Sequence, residues 1–298
     1  MRPESRTTRR APAAALLLGA AYIAAVPTAA ADTIATVEAF LPAVHVVGAS
    51  GVFRTDVEVF NPDPEASADV VLYLTPPDAD YTQRPGIRLD PPLRPRESVT
   101  LSDVVSQYFH DDNAFGNLNV VSLKVGDASA YGPALVVTSN TYNVAGAVSG
   151  TYGQFSPGQP RRKAVAFDDS VAGELYITGL RNDANLRTNV GILNTEDVPL
   201  EAGVQLVDSI GRVLAQRAYS VAPYSIRQIN DLFGREFVAA GIPPGGPYRL
   251  TVFVNLPNAA RLLCYASVSD LRTGDPYLIP GEPVLASGAP AAVARAVR

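Results

Sequence analysis

Four scarcities frame this chain. Its 298 residues include one cysteine, two histidines and two lysines, Lys124 and Lys163, and no apolar run longer or cleaner than the short one near its start. One thiol closes no internal disulfide, so outside the cell stability has to come from buried core, and a cysteine-based zinc site is excluded by count. Cys264 lies in the apolar run "RLLCYASV", where it reads as a small core residue rather than a reactive thiol. Two lysines and no basic run offer no phosphate-neutralising surface, which excludes nucleic acid as an expected partner. Neither a Walker phosphate loop nor a Rossmann glycine pattern is present.

What is present is ample apolar material: 47% of residues are hydrophobic and 18% charged, the balance of a globular chain. Arg2, Arg6, Arg9 and Arg10 precede an apolar, small-residue run over Ala13 to Val26, and "PTAAAD" supplies a cleavage point after Ala31. That is the layout of a secretory signal peptide over residues 1–31, and it leaves the mature chain without a transmembrane segment. The small residues at the cleavage point disfavour a retained anchor, and no cysteine stands there to carry lipid. Loss of four Arg and one Glu takes the formal net charge from −5 to −8. The expected location is secreted, periplasmic or at the cell surface.

The chain repeats itself. "RTDVEVFNP" at Arg54 to Pro62 returns as "RTNVGILNT" at Arg187 to Thr195, an offset of 133. The offset falls to 128 between "PRESVTLSDVV" and "PYSIRQINDLF", to 127 between "LVVTSNTYN" and "LLCYASVSD", and to 123 between "SPG" and "IPG". Order is kept while loop lengths change, as in a duplicated domain whose insertions sit in surface connections. This alignment sets His45 against Tyr176.

Within each copy the period is two. Thr55, Val57, Val59 and Asn61 share one face and Arg54, Asp56, Glu58 and Phe60 the other; Thr188, Val190, Ile192 and Asn194 oppose Arg187, Asn189, Gly191 and Leu193. Further strands are expected at Gly86–Leu89, Ser98–Leu101, Leu118–Val125, Ala134–Tyr142 and Tyr152–Phe155. Only "SDVVSQYF" and "NDLFGREF" read as helical, with Ser102 and Asn230 as N-caps and Asp103 and Asp231 in the first turn. The fold class is all-β: two tandem immunoglobulin-like β-sandwiches from an internal duplication, each with one short helix. The boundaries are a first sandwich over 36–158, a linker over 159–173 carrying a solvated Arg161-Arg162-Lys163 cluster, a second sandwich over 174–281 and a loose tail over 282–298.

Chemistry-bearing residues are few. A Ser-His-acid device needs an imidazole held against a hydroxyl. His45, at the start of an apolar strand, reads as structural, and His110, in the polar loop "YFHDDNAFG", is the better site candidate. The same loop offers Asp111, Asp112 and Asn113 as weak oxygen ligands for Ca²⁺, although consecutive acids do not match an EF-hand and the second copy has no equivalent. No other cofactor is implied. Asp56 becomes Asn189 in the second copy, so the shared motif needs no ionised carboxylate there. Arg54 and Arg187 persist, as do Asp103 and Asp231, and the pattern predicts a bidentate pair in each copy that pins helix to sheet.

As a set, "FRTDVEVFNP", "SNTYN", "GTYGQFSPG", "LRTNVGILN", "RQIND" and "YASVSDLRTGDPYLIPG" resemble a group of bacterial secreted proteins that pair two β-rich modules and have no assigned activity. The resemblance covers most of residues 40–281 and implies fold and export but no catalytic residues. The expected function is a non-catalytic binding, adhesion or scaffold protein facing an envelope protein or polysaccharide. Tyr81, Tyr108, Tyr142 and Tyr152 are available for stacking. Two alternatives compete: a periplasmic two-sandwich chaperone, which requires an unpaired edge strand and a basic anchoring pocket between the sandwiches, and a secreted hydrolase using acids or His110. Oligomeric state is left open.

Overall fold

The computed structural model describes residues 35–48, 51–79, 85–144, 153–167, 173–256 and 258–283. The signal-like segment, Tyr81, Tyr152 and most of the tail lie outside the described residues. The described residues all fall in one compact unit.

The first copy contributes β1 (Glu38–Gly48), β2 (Gly51–Phe60), β3 (Ala68–Thr75), β4 (Ile87–Arg88) and β5 (Ser98–Leu101). The single α-turn α1 (Val104–Phe109) follows, then β6 (Ala114–Lys124), β7 (Asp127–Tyr131), β8 (Val136–Asn143), β9 (Gly153–Pro157) and β10 (Gln159–Pro160). After β11 (Val165–Ala166) the second copy begins with β12 (Glu174–Asn182), β13 (Leu186–Asn194), β14 (Leu200–Val207), β15 (Val213–Val221) and β16 (Ile226–Ile229). It ends with β17 (Gly245–Val254), β18 (Arg261–Asp270), β19 (Pro276–Pro280) and β20 (Glu282–Pro283).

All pairing is antiparallel, and the two copies pair in the same order. β4-β3-β6-β1-β10 in the first copy matches β15-β14-β17-β12-β20 in the second, and β5-β2-β8-β9 matches β16-β13-β18-β19. Even β11, which pairs the start of β18, has a counterpart in the isolated bridge from Thr36 to Leu135. An immunoglobulin constant domain pairs its first strand with its second and its last with its sixth. Here β1 runs beside β6 and β8 beside β2. The last residues of β1, from Val46, turn onto β2 and join the two sheets of the first copy.

Each copy encloses its own apolar core. Ala39, Leu41, Val57, Val59, Leu72, Leu118 and Val137 meet in the first; Leu175, Ile177, Val190, Ile192, Val204, Leu250 and Cys264 meet in the second. A third cluster joins them. Phe40 and Phe115, on the outer face of the first copy's β1 and β6, pack with Leu193, Ile226, Leu263, Tyr265 and Leu278 of the second. The described strands are therefore stacked in four β layers, and β6 is buried on both faces, which is why Asn117 and Asn119 are fully buried polar residues in a central strand.

The repeated motif now has a physical reading. Asn61 Nδ2 donates to the carbonyls of Ala66 and Arg94 at 2.8 and 3.0 Å, and its Oδ1 accepts from Asp63 N at 3.1 Å. Asn194 repeats this on Val198 (2.7 Å), Ala222 (3.2 Å) and Glu196 N (3.1 Å). One buried amide thus satisfies the backbone of two loops at the end of the strand, where unpaired carbonyls would each cost ~1–3 kcal/mol.

Several expectations are corrected. The helical turns start one residue later than read: Asp103 and Asp231 are themselves the N-caps, both in the left-handed region (φ 44° and 57°), and the second is a π turn over Leu232–Glu236. Residues 159–173 are not a solvated linker throughout. β10 closes the first copy's sheet and β11 joins the second's, and Arg161 between them is ion-paired with Glu38 of the first copy (3.5 Å) and with Glu196 of the second. His45 sits near the end of β1, not at a strand start, and Tyr176 is not its counterpart: Tyr176 pairs Thr251 as Phe40 pairs Asn119. Two register shifts around Gly179 (φ 78°) displaced that alignment. β7 was not foreseen.

Candidate functional site

Two places gather polar side chains. The first lies around the start of α1. His45 Nδ1 and Asp103 Oδ1 are 2.8 Å apart, with both residues buried. Asp103 Oδ2 lies 3.5 Å from Arg54 Nε, which pairs the charges without hydrogen-bond geometry, so the predicted bidentate pair exists only as a single-sided contact. Asp56 Oδ1 accepts from the backbone N–H of Asp103 at 2.7 Å and from the Tyr142 hydroxyl at 3.2 Å. Partial burial and the Asp56 carboxylate together raise the pKa of the Tyr142 phenol. A His–Asp pair suggests acid–base chemistry, yet His45 makes no hydrogen bond to a hydroxyl or thiol among the described residues. It ties β1 to the N-cap of α1 through the Asp103 carboxylate.

The second copy keeps half of this device. Asp231 N–H donates to Asn189 Oδ1 at 3.0 Å, the same bond that Asp103 makes with Asp56. An amide oxygen accepts it as well as a carboxylate oxygen, which explains the Asp-to-Asn change between copies. The predicted Arg187–Asp231 pair is absent. Asp231 Oδ1 instead accepts from Gly234 N at 3.0 Å, and Arg187 forms no ion pair or side-chain hydrogen bond among the described residues. The shared feature is the bond from the Asp56 or Asn189 position, not the arginine.

The second place is a groove between the copies. Three depressions of about 440, 120 and 560 Å³ share walls. Gln154 of β9 and Ser267 of β18 bridge its floor through bonds of 3.0 and 3.1 Å. Thr141, Asn189, Ser269 and Gln228 add hydroxyls and amides, while Phe53 and Phe115 add aromatic faces. The Gln228 Oε1 accepts from the Tyr265 hydroxyl at 3.0 Å, which fixes the amide. Four charged residues line the groove. Arg227 is held by Asp78 at 3.1 Å, Asp270 Oδ1 is taken up by the N–H groups of Arg272 and Thr273, and Arg187 has no partner among the described residues. Preformed amides, hydroxyls and aromatic rings in a concave site suit reversible binding of a polar ligand.

The remaining predicted residues lie elsewhere. His110 is the exposed left-handed C-cap of α1 (φ 55°) and does not line the groove. Asp111 Oδ1 accepts from Asn113 N and Asp112 Oδ1 from Ser106 Oγ, so the loop's oxygens serve the loop itself. No group of three His, Cys, Asp or Glu suited to a metal occurs among the described residues. Cys264 is fully buried, and burial pushes its thiol well above the ordinary range. Tyr108 packs half-buried against the first core. No helix among the described residues is long and apolar enough to cross a membrane.

The groove was missed from sequence, where only the covering of its second-copy wall left a signal. "GIL" in β13 and "LLCYA" in β18 are apolar at successive positions, the mark of strands covered on both faces. Compared with models of known protein families and with curated proteins, the chain matches none.

Proposed function

We propose that the chain is a non-catalytic binding protein of the cell exterior or envelope, whose ligand lies in the groove between its two sandwiches. The observation that carries this reading is the composition of the groove: amides, hydroxyls and aromatic faces line it, while the buried His45–Asp103 pair lies outside it and serves the fold. The signal-like layout of residues 1–31 and the resemblance to secreted two-module proteins support the location.

The test is a pull-down from the envelope fraction of the source cell with the tagged chain and with Ser267→Trp, which fills the groove floor. Recovery of one polysaccharide or one surface protein by the wild type and its loss with Ser267→Trp is the expected result. Equal recovery by both proteins would remove the groove from the reading. Turnover of a chromogenic glycoside or ester panel that His110→Ala abolishes would replace binding with hydrolysis.

A further inference from the structure

We infer that Arg187 is a carboxylate anchor and that the groove takes an oligosaccharide bearing uronic acid, an inference that rests on the binding role proposed for the groove. The duplication supplies the argument. The same arginine stands at the start of the motif in both copies, and in the first its charge is opposed by Asp103, which His45 holds in place. The second copy lacks this arrangement: Asp231 turns its carboxylate onto Gly234 N, and Arg187 is left exposed on the groove wall without a counter-ion among the described residues.

An unpaired arginine on an open surface is ordinary, but this one has a particular setting. The other cation of the groove, Arg227, is neutralised by Asp78, and the nearby carboxylate of Asp270 has one oxygen committed to its own loop. Among the described residues Arg187 is therefore the one lining cation free to take an anion. A guanidinium presents a planar fork that matches a carboxylate through two parallel hydrogen bonds. Beside it, Ser269 and Ser267 offer hydroxyls, Gln154 an amide and Phe53 a ring face. That mixture complements the hydroxyls and apolar face of a sugar, with the carboxylate fixing its direction in the groove.

The experiment is calorimetric titration of the full chain with a uronic-acid tetrasaccharide, with its methyl ester, and with a peptide in free-acid and C-terminal amide forms. The acid sugar is expected to bind about tenfold or more tightly than its ester, the scale of one charge-assisted contact. Arg187→Gln should abolish that preference without moving the urea midpoint, and Arg187→Lys should restore part of it. Equal binding of acid and ester, or a preference that survives Arg187→Gln, overturns the anchor; if Ser267→Trp still blocks that binding, the groove itself stands. Arg187-dependent binding of the free-acid peptide with no saccharide binding overturns the sugar assignment and favours a chaperone-like role. No binding by any of the four probes overturns the inference, and the groove is then judged by the Ser267→Trp pull-down alone.

Discussion

The second strand of each copy, β2 or β13, carries the same inner face and a different outer one. Thr55, Val57, Val59 and Asn61 are buried in the first core just as Thr188, Val190, Ile192 and Asn194 are in the second. On the other side Glu58 is exposed, whereas Gly191 and Leu193 are covered. The difference follows from position in the stack: the sheet holding β13 is an inner layer, packed on the first copy's β1 and β6, and the sheet holding β2 is an outer one. The two copies share one order of strand pairing, and stacking leaves one face of each unequal.

The sharpest way to break this comparison is to exchange the diverged residues. A Cβ at Gly191 would lie 2.2 Å from the Tyr265 ring, which is buried and tied to Gln228. Gly191→Glu should therefore cost about 3–5 kcal/mol, by overpacking and by burying an unpaired carboxylate. Glu58→Gly should cost only about 1 kcal/mol, the entropy of a strand glycine. Urea unfolding followed by circular dichroism measures both. A mild Gly191→Glu would mean that this face is not covered and would dismantle the four-layer stack.

Arg161 tests the join itself. It pairs Glu38 and Glu196, whose side chains are only 10% and 11% exposed, so losing the arginine leaves two poorly solvated carboxylates. Because Arg161 is 42% exposed, solvent screening reduces the effect, and Arg161→Met is expected to cost about 1–3 kcal/mol. Adding Glu196→Gln should recover part of the loss. Full additivity of the two changes in a double-mutant cycle would show that the contact carries no coupling.

How much of this was readable in the sequence depends on which neighbours decide a residue. The inner faces of β2 and β13 follow from period-two alternation, and the core composition bears that out. The offset of 128 located Asp103 and Asp231 at matching positions, and the structure makes both left-handed N-caps where the sequence placed them in the first turn. The arginine pairs were half legible: Arg54 approaches Asp103, but nothing local in the second copy announces that Asp231 turns to Gly234. The groove was not legible because it is lined by Gln154 and Ser267, 113 residues apart. Their meeting depends on which sheet covers β13 and β18; the apolar runs there announce a cover without identifying it. Tyr176 was misaligned because a β-bulge changes register without leaving a hydrophobic signature.

The matched threonines give a smaller and opposite pair of effects. Thr55 Oγ1 accepts from Val44 N and shares a bond with Thr141 Oγ1, both at 2.9 Å. Thr188 Oγ1 is buried with no partner among the described residues, since Val268 stands opposite where the first copy has Thr141. Thr55→Val should lose about 1–2 kcal/mol, and Thr188→Val should gain up to about 1 kcal/mol by removing a hydroxyl that was desolvated without compensation. Destabilisation by both changes would imply that Thr188 has a bonding partner after all, a bridging water being the first to seek.

The mildest contrast concerns the residue two places after the buried asparagine. Glu196 has been recruited by Arg161, whereas Asp63 folds back on its own turn, accepting from Glu65 N at 2.8 Å and Ala66 N at 2.7 Å. Those two bonds, led by Ala66, hold the Asp63 carboxyl below its ordinary 3.8. A depressed folded value means that the bonds contribute fully above the unfolded pKa and are lost as pH falls through the folded one. Asp63→Asn keeps an accepting oxygen but cannot titrate, so the variant should lose less melting temperature than the wild type only on acidification below about pH 4. Thermal melts from neutral to acid pH read the difference directly. A gap between the two proteins that is constant across that range would show that the charge of Asp63, as distinct from its oxygen, contributes nothing to the turn.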